Sequence, residues 1–595
     1  MPLRIEDYAL IGDGETAALV GRDGSIDWLC LPRFDSAAMF AALLGTPGHG
    51  RWSIVPDGVI RHTTRRYRGD SLVLETDFET EDGVVTLRDC MPLRDGHADL
   101  VRLVIGRRGQ VRMSMDLMLR FGYGRLIPWT YRAPDGALLG VCGPDQVALR
   151  TPVELQGDGR RITAGFTVSA KQRIPFHLVW TPSHLPPGPM VDVEAAIAST
   201  ELFWRDWIAG CRIDGSPRPD LVCRSLITLK ALTYAPTGGI AAAATTSLPE
   251  TLGGSRNWDY RFCWLRDAAL TLHALAGAGH LGEADAWRRW LLRAVAGSVT
   301  QVRALYGLAG EHHTPEMILP WLPGYEGSAP VRIGNAAGEQ LQLDVAGEVI
   351  DAFYVARRMG LPPLAEGWTM ASAVLERLER IWREPDEGIW EVRGPRRHFV
   401  HSKVMVWVAF DRAVRAVEEF GADGPVARWR AARDEVFAEV CARGYDPQLG
   451  SFVQSYGSQA LDASLLLLPL VGFLPADDPR IRGTVAAIER RLMVGDGLVL
   501  RYLPDATVEG LTPTDEGAFL ACTAWLGQVY ALQGRRAEAL AVLDRLAAIA
   551  NDVGLLAEEY DPVLKRQVGN FPQAFSHLAL VGLSLALRDA SPPHP

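Results

Sequence analysis

Two kinds of helical segment alternate along the last two thirds of the sequence, and few folds accommodate that alternation. After Pro219 strand signals almost vanish, and every second helical segment is apolar on nearly all sides, most clearly at residues 463–474, 518–532 and 574–587. Such helices have to be buried all round, whereas the amphipathic segments between them, such as residues 427–443, need only one covered face. The pattern predicts an inner and an outer layer of helices.

Twelve such segments fit two concentric rings of six helices, an (α/α)6 barrel that we place over residues 220–590. The segments centre near residues 225, 271, 289, 350, 373, 410, 434, 467, 485, 525, 543 and 581. If outer and inner helices alternate antiparallel, the loops that lead into the six inner helices open at one end of the barrel, where their N-termini also collect. We expect the functional site at that end, because long loops on a rigid scaffold carry sites.

The first third has the period of β-strands. Val111, Met113, Met115 and Leu117 alternate with polar residues, and similar short runs occur at residues 72–78, 84–88, 101–105, 162–168 and 174–180. Asp-Gly turn signals separate several of these runs. We predict an antiparallel β-sandwich over residues 1–190 and a helical linker over residues 191–219, so that the chain is a multidomain protein of the α+β class.

Charge and cysteine usage narrow the classes of partner. Lysine and arginine total 61 against 71 acidic residues, a net charge of −10, so nothing favours a nucleic acid or an anionic membrane surface. The eight cysteines are scattered without metal-ligand spacing, which predicts reduced thiols and neither a metal nor another cofactor. The opening residues, MPLRIEDYALIGDGE, carry acids where a signal peptide needs a basic start, so we expect a cytoplasmic protein. Assembly into a homo-oligomer stays open.

The loops at the predicted mouth are rich in carboxylates, indoles and arginines, notably RNWDYRFCWLRD at residues 256–267, DEGIWEVRG at 386–394 and LAEEYDP at 556–562. Cleavage of an acetal needs one carboxylic acid to protonate the leaving oxygen and one carboxylate to activate water or to attack. Aromatic rings suit the apolar faces of a pyranose, and charged pairs fix its hydroxyls. The sequence has no P-loop, no GxSxG and no HExxH motif. Glycoside hydrolysis on a small sugar substrate is therefore the chemistry that we expect.

The same motifs resemble those of glycoside hydrolase family 15, which contains glucoamylases and bacterial and archaeal trehalases. WLRD at residues 264–267, preceded by Asp259 and Tyr260, is similar to the substrate-binding signature of that family, and IWE and AEEYD are similar to its acid and base segments. The opening IGDGETAALVGRDGSIDWLCLPRFDS resembles the start of the trehalase-like members, which place a β-sandwich before an (α/α)6 barrel. The resemblance covers nearly the whole chain.

The resemblance implies a role for each matching residue. Glu391 would be the general acid and Glu558 the general base that activates water, with inversion at the anomeric carbon. The implied substrate-binding residues are Arg266 and Asp267 on the hydroxyls of the terminal glucose, Trp390 beside that sugar, Arg501 at the scissile bond, Tyr260 near the reacting centre, and Trp264 and Glu559, the last being also the alternative base. Val392 departs from the family pattern, which commonly has an acidic or amide residue directly after the acid.

Several alternatives stay open. Glu339, Asp344 and Glu348 lie at the start of the fourth helical segment and could hold the acid instead, although acids there commonly compensate the helix dipole. The trehalase-like first domain favours trehalose hydrolysis, and hydrolysis of starch-type or isomaltose-type α-glucosides is the alternative. A non-catalytic carbohydrate-binding protein is the alternative from another class, and the presence of both glutamates weighs against it.

Overall fold

The computed structural model of the chain describes residues 2–157, 160–297, 302–503 and 516–590. Within these residues the first domain is a branched antiparallel sheet of 15 strands. The strands are β1 Tyr8–Gly12, β2 Ala17–Gly21, β3 Ser25–Cys30, β4 Ala38–Phe40, β5 Arg51–Pro56, β6 Ile60–Tyr67, β7 Leu74–Thr80, β8 Gly83–Cys90, β9 Ala98–Met118, β10 Trp129–Arg132, β11 Leu138–Cys142, β12 Asp145–Arg150, β13 Gln156–Gly157, β14 Ile162–Ser169 and β15 Arg173–Pro182.

Strand β9 connects the two halves of this sheet. Its first half pairs with β8 and β15, and its second half pairs with β5 and β14. In the second half Val111, Met113 and Leu117 are buried and the polar residues between them are not, which confirms the alternation predicted there. Trp52 of β5 packs edge-on against Phe176 of β15 with 6.5 Å between the ring centroids, so side chains of the two halves share one core.

A helical domain follows the sheet. Its helices are α1 Val193–Ile208, α2 Pro219–Ala231, α3 Leu265–Gly277, α4 Leu281–Ala294, α5 Asp344–Arg358, α6 Ala365–Ile381, α7 Val400–Phe420, α8 Val426–Arg443, α9 Leu467–Leu470, α10 Pro479–Arg491, α11 Leu520–Leu532, α12 Arg536–Ile549 and α13 Ala574–Asp589. Every one of the twelve predicted segments is helical at its centre. Of the helices that the structure describes, none combines the length and apolarity that a membrane span requires.

Short strands lie in the loops of the helical domain. They are β16 Thr233–Tyr234, β17 Gly239–Ile240, β18 Cys263–Trp264, β19 Leu305–Tyr306, β20 Met317–Ile318, β21 Arg332–Ile333, β22 Tyr445–Asp446, β23 Ser451–Phe452, β24 Met493–Val494, β25 Leu498–Val499, β26 Ala518–Phe519, β27 Glu559–Asp561 and β28 Arg566–Val568. Strand β27 pairs with both β26 and β28. This small sheet supports the segment that carries Glu558 and Glu559.

The eighth helical segment is shorter than its apolar run suggests. The sequence predicts a helix over residues 463–474, but a 3-10 turn over Ala463–Leu466 leads into α9, which ends at Leu470. Gly472 adopts a left-handed φ of 79°, a conformation that commonly follows the end of a helix and that glycine adopts without strain. The apolar run continues past the helix because Phe473 and Leu474 remain buried in the loop that follows.

The apolar helices pack on one another in chain order. Each of α3, α5, α7, α9, α11 and α13 contacts the next of this set, and α13 contacts α3. Helices α5 and α7 approach closely at Gly347, where a Cβ would lie 2.2 Å from the carbonyl oxygen of Met405. Only a hydrogen atom fits between these two backbones, so this position requires glycine.

The β-sheet domain contacts the helical domain beside the loop that leads into α3. The guanidinium of Arg261 is buried and pairs with Asp259 at 2.6 Å. It also donates hydrogen bonds to the hydroxyl of Tyr123 and to the carbonyl oxygen of Ser36, each at 2.9 Å and each in the β-sheet domain. A charge buried this deeply needs such partners, so both domains fix the loop before α3.

Candidate active site

Two adjoining cavities lie at the end of the helical domain where the apolar helices begin. The inner cavity is lined by Ala242, Tyr260, Trp264, Arg266, Asp267, Ile389, Trp390, Glu391, Arg501, Phe519, Glu558, Gln573 and Phe575. The outer cavity is lined by Glu250, Arg256, Trp258, Tyr260, Asn335, Ala337, Gln340, Trp390, Glu391, Val392, Arg393, Arg501 and Tyr502. The side chains of Tyr260, Trp390, Glu391 and Arg501 belong to both. Every predicted site residue except Glu559 lines at least one of the two.

Glu391 lies in a strained turn before α7. Its backbone has a left-handed φ of 59°, which costs a residue with a Cβ on the order of 1 kcal/mol or more. The turn is held from two sides, because Gln340 donates from Nε2 to the carbonyl oxygen of Glu391 at 3.1 Å and Arg266 donates to the carbonyl oxygen of Ile389 at 2.6 Å. Backbone strain of this kind, stabilised by neighbours, is typical of functional positions.

The carboxyl group of Glu391 is surrounded by donors. Oε1 accepts hydrogen bonds from Nε1 of Trp264 at 2.5 Å and from Nε2 of Gln342 at 3.3 Å, and a guanidinium nitrogen of Arg266 lies 4.0 Å away. Burial raises the pKa of Glu391, and Arg266 and the indole of Trp264 oppose that rise. A buried carboxyl with a raised pKa suits a group that has to deliver a proton.

Glu558 lines the inner cavity only. Burial and, after it, the neighbouring carboxylate of Glu250 raise the pKa of Glu558 to about 8, against the effect of Arg501 and a hydrogen bond from Tyr260. The pKa of Tyr260 is itself well above its usual value, because the ring is buried beside Glu558, so the phenol keeps its proton and can donate. Gly569 packs against this glutamate so closely that a Cβ would lie 2.6 Å from its Cβ.

Arg266 and Asp267 form one side of the inner cavity. Both are buried at the start of α3, and their side chains pair at 2.9 Å. Burial raises the pKa of Asp267, and the guanidinium of Arg266 opposes that rise. A fixed pair of opposite charges offers both donors and acceptors to sugar hydroxyls.

Aromatic rings close the inner cavity. Trp390 donates from Nε1 to Asp462 at 2.9 Å and packs against Phe519 and Trp525, with centroid distances of 5.3 and 6.2 Å. Tyr260 and Trp264 pack edge-on at 5.3 Å. These rings are therefore held in place by protein contacts and present apolar surface to a ligand.

Arg501 lies at the boundary of the cavities among three buried carboxylates. Its Nη2 donates to Glu250 at 2.8 Å and to Glu516 at 2.7 Å, and it lies 3.5 Å from Glu559. Glu559 thus supports Arg501 from behind and lines neither cavity, whereas the sequence predicts it as a substrate-binding residue. Glu558 directly precedes β27 and Glu559 is its first residue, so the two side chains leave the backbone in different directions.

The carboxylates around Arg501 are the residues most able to hold a cation. Within the described ranges, Glu250, Glu516 and Glu559 offer oxygens within 4.8 Å of one another. Arg256 adds a second guanidinium, 2.8 Å from Glu516. Two positive side chains therefore already offset most of the negative charge of this cluster.

The alternative acids lie elsewhere. Glu339 is largely exposed, with 70% of its side-chain surface accessible, and pairs with Arg303. Asp344 and Glu348 are buried in α5 but line neither cavity. Glu391 is the only one of these four candidates that faces the cavity shared with Glu558.

Sequence reasoning missed four polar residues around the site: Glu250, Gln342, Asp462 and Glu516. Gln342 lies in the loop before α5 and Glu516 in the loop before α11, and nothing in their local pattern distinguishes them from other loop residues. Glu250 precedes the recognised motif by six residues and has no periodic signal at all. Their importance comes from how separate loops fold together.

Two protein-family models match this chain. The model of glycosyl hydrolases family 15 matches residues 216–585, and the model of the trehalase-like N-terminal domain matches residues 1–180. The chain belongs to glycosyl hydrolase family 15. It is therefore a glycosidase, an enzyme whose chemistry commonly uses a pair of carboxyl groups.

Relatives of this family 15 enzyme match it over nearly their whole length. A trehalase of Mycobacterium tuberculosis is 38% identical, with 97% of this chain and 88% of the relative covered. A trehalase of Thermoplasma volcanium is 33% identical, with 99% and 94% covered. A bacterial glucoamylase solved in complex with acarbose has the same fold, with a TM-score of 0.71 at 13% identity over 99% of this chain and 94% of that one. The site thus lies in a fold shared with glucoamylase.

Within the described residues of this enzyme, the β-sheet domain lines neither cavity. Its contribution is the support of the loop before α3 through Arg261. That loop leads through Trp264 into Arg266 and Asp267 in the first turn of α3, so the first domain helps to position three side chains that line the inner cavity.

Proposed function

We propose that this enzyme hydrolyses α,α-trehalose to two molecules of glucose with inversion, with Glu391 as the general acid and Glu558 as the general base. One observation carries the proposal: Glu391 lines both cavities, whereas Glu558 lines only the inner one. The acid has to reach the oxygen that joins the two sugars, so it belongs at the boundary between them. The base has to reach a water on the far side of the attacked sugar.

In this proposal the attacked glucose occupies the inner cavity and the leaving glucose the outer one. Arg266 and Asp267 bind hydroxyls of the attacked glucose, and the ring of Trp390 packs against it. Glu391 gives its proton to the bridging oxygen as the C1–O bond breaks. Glu558 takes a proton from the water whose oxygen forms the new bond to C1. Proton exchange with solvent then returns both carboxyl groups to their starting states.

Arg501 contributes positive charge next to the bond that breaks. It lines both cavities and is fixed by Glu250 and Glu516, so it needs little reorganisation during the reaction. Tyr260 donates its hydrogen bond to Glu558 and thereby favours the ionised base. These two residues support the reaction without exchanging protons with the substrate.

We also propose the finer architecture. The two halves of the first domain form a β-sandwich over residues 1–190, a helical linker covers residues 191–219, and an (α/α)6 barrel covers residues 220–590. The closed series of contacts from α3 through α13 supports the barrel, and the core contact between Trp52 and Phe176 supports the sandwich. A cytoplasmic location is supported by the eight cysteines, all of which are free thiols.

Glucose release from trehalose, maltose, isomaltose and soluble starch tests the substrate. We expect trehalose to have the highest kcat/KM, and a preference for maltose, isomaltose or starch would identify a glucoamylase-type glucosidase instead. Proton NMR of the first products tests the stereochemistry. Inversion releases one β-glucose from the attacked ring and one α-glucose from the leaving ring, whereas only α-glucose would contradict the assigned roles.

A further inference from the structure

Two arginines and a tryptophan pack together along the outer cavity. The guanidinium carbons of Arg332 and Arg393 lie 4.5 and 4.1 Å from the ring centroid of Trp258, within the range of a cation–π contact. Trp258 and Arg393 line the outer cavity, and neither lines the inner one. We call this group the Arg–Trp–Arg stack.

Glu316 binds both arginines of the Arg–Trp–Arg stack. Its carboxylate accepts hydrogen bonds from Arg393 at 3.1 and 2.5 Å and lies 3.4 Å from Nε of Arg332. Paired, charge-assisted hydrogen bonds of this kind fix both the position and the plane of a guanidinium. The stack joins three segments that are distant in sequence. Its side chains are therefore held in place and form a rigid wall of the outer cavity.

The wall stands where the cavity meets solvent. The side chain of Arg393 is 30% exposed, and those of Arg332 and Glu316 behind it are 11% and 18% exposed. Nε1 of Trp258 donates to Glu250 at 3.2 Å, which prevents the ring from turning away. Val392, the residue directly before Arg393, packs against Phe399, and its side chain offers no polar group to a sugar.

We propose that the Arg–Trp–Arg stack ends the outer cavity after one sugar unit and so restricts the enzyme to disaccharides. The inference rests on the proposed function in one respect, the placement of the leaving glucose in the outer cavity. Trehalose is joined through both anomeric carbons and ends with its second glucose. A starch-type chain continues from C1 of the leaving glucose, and its third unit would require the space that the stack fills.

The test compares kcat/KM for trehalose, maltose and maltotriose in the wild type and in three variants, Arg393→Ala, Arg393→Lys and Glu316→Gln. We expect the maltotriose-to-maltose ratio to rise about tenfold in Arg393→Ala, a gain of the size that pocket contacts commonly control. Arg393→Lys keeps the charge but loses the flat stacking group, and Glu316→Gln loosens the stack without removing it, so both should raise the ratio by less. Arg428→Ala, which removes an exposed arginine paired with Glu379 at 2.8 Å, is the matched control and should change nothing.

Hydrolysis of α-glucosyl fluoride separates the possible failures, because fluoride leaves without a second sugar in the outer cavity. A variant that keeps this activity has an intact fold and inner cavity. An unchanged maltotriose-to-maltose ratio in such a variant, or a wild type that cleaves maltotriose as fast as maltose, would overturn the role of the stack. If the wild type cleaves maltose but not trehalose, the proposed substrate is wrong. The maltotriose-to-maltose ratio of the variants still tests the role of the stack in that case.

Discussion

Nε1 of Trp264 lies 2.5 Å from Oε1 of Glu391 and joins β18, directly before α3, to the loop before α7. The indole donates to the carboxyl group, so it stabilises the ionised form and opposes the rise that burial causes in the pKa of Glu391. The proposed acid is therefore held between two opposing influences, and its protonation can be shifted by one substitution.

Replacing Trp264 by phenylalanine removes the donor and keeps an aromatic ring. Since the donor lowers the pKa of Glu391, its loss should raise that pKa, and the alkaline limb of the kcat/KM profile should move about one unit to higher pH. The matched control is Trp390→Phe, because the indole of Trp390 donates to Asp462 and not to the acid. An alkaline limb that stays in place in Trp264→Phe would show that this limb does not report Glu391.

Glutamine substitutions of the two catalytic candidates should differ in their response to the leaving group. Glu391→Gln should lower kcat on trehalose by about 10²–10⁴-fold but retain much of the hydrolysis of α-glucosyl fluoride, since fluoride needs no protonation to leave. Glu558→Gln should lose both activities, because each requires an activated water. Steady-state kinetics on both substrates gives the answer, and loss of both in Glu559→Gln but not in Glu558→Gln would reassign the base.

The carboxylate of Glu250 should control the acid limb of the pH profile. Glu558 acts as a base only when ionised, so the rate should rise as pH increases through its pKa of about 8. Because Glu250 raises the pKa of Glu558, the variant Glu250→Gln should lower it and move the acid limb to lower pH by at least about half a unit. Glu516→Gln also removes a carboxylate from Arg501 and serves as the control with the smaller shift. An acid limb that moves equally in both variants would contradict a direct effect of Glu250.

The contact between α5 and α7 makes a prediction about stability. Alanine at Gly347 would place its Cβ 2.2 Å from the carbonyl oxygen of Met405, so the helices have to separate, at a cost of about 1–3 kcal/mol in the free energy of unfolding. Gly282 in α4 has no neighbour within 4 Å of such a Cβ, and Gly282→Ala should be neutral or stabilising by up to about 1 kcal/mol. Urea denaturation of both variants measures the difference. Equal stabilities would mean that the helices yield at Gly347 without strain.

The pattern of the sequence alone predicted the helices and the end of the helical domain at which the two cavities lie. Apolar and amphipathic segments bury themselves in only a few ways, and that constraint is strong enough to place twelve helices and the loops between them. The end of α9 at Leu470 could not be foreseen from the apolar run, because a glycine turn and not hydrophobicity sets it.

Some side chains of the site could be predicted from the sequence, and others could not. Glu391, Glu558 and Arg266 stand in motifs that family resemblance makes visible, and the structure brings all three to the inner cavity. Glu250 belongs to the site because it accepts a hydrogen bond from Arg501, which is 251 residues away in sequence. No local pattern encodes a contact between two loops at that separation, which is why the supporting carboxylates were not anticipated and why Glu559 was assigned to the sugar.

The buried guanidinium of Arg261 has a consequence for any attempt to shorten this enzyme. Cutting away the β-sheet domain would strip Tyr123 and Ser36 from a charge that lies five residues ahead of Arg266. The guanidinium of Arg261 would then have to find water as its partner, and the loop before α3 would move with it. A fragment that begins at α2 should therefore have a misplaced loop before α3 and a lower activity. Substitutions near Tyr123 should likewise lower kcat, although they lie far from the two cavities.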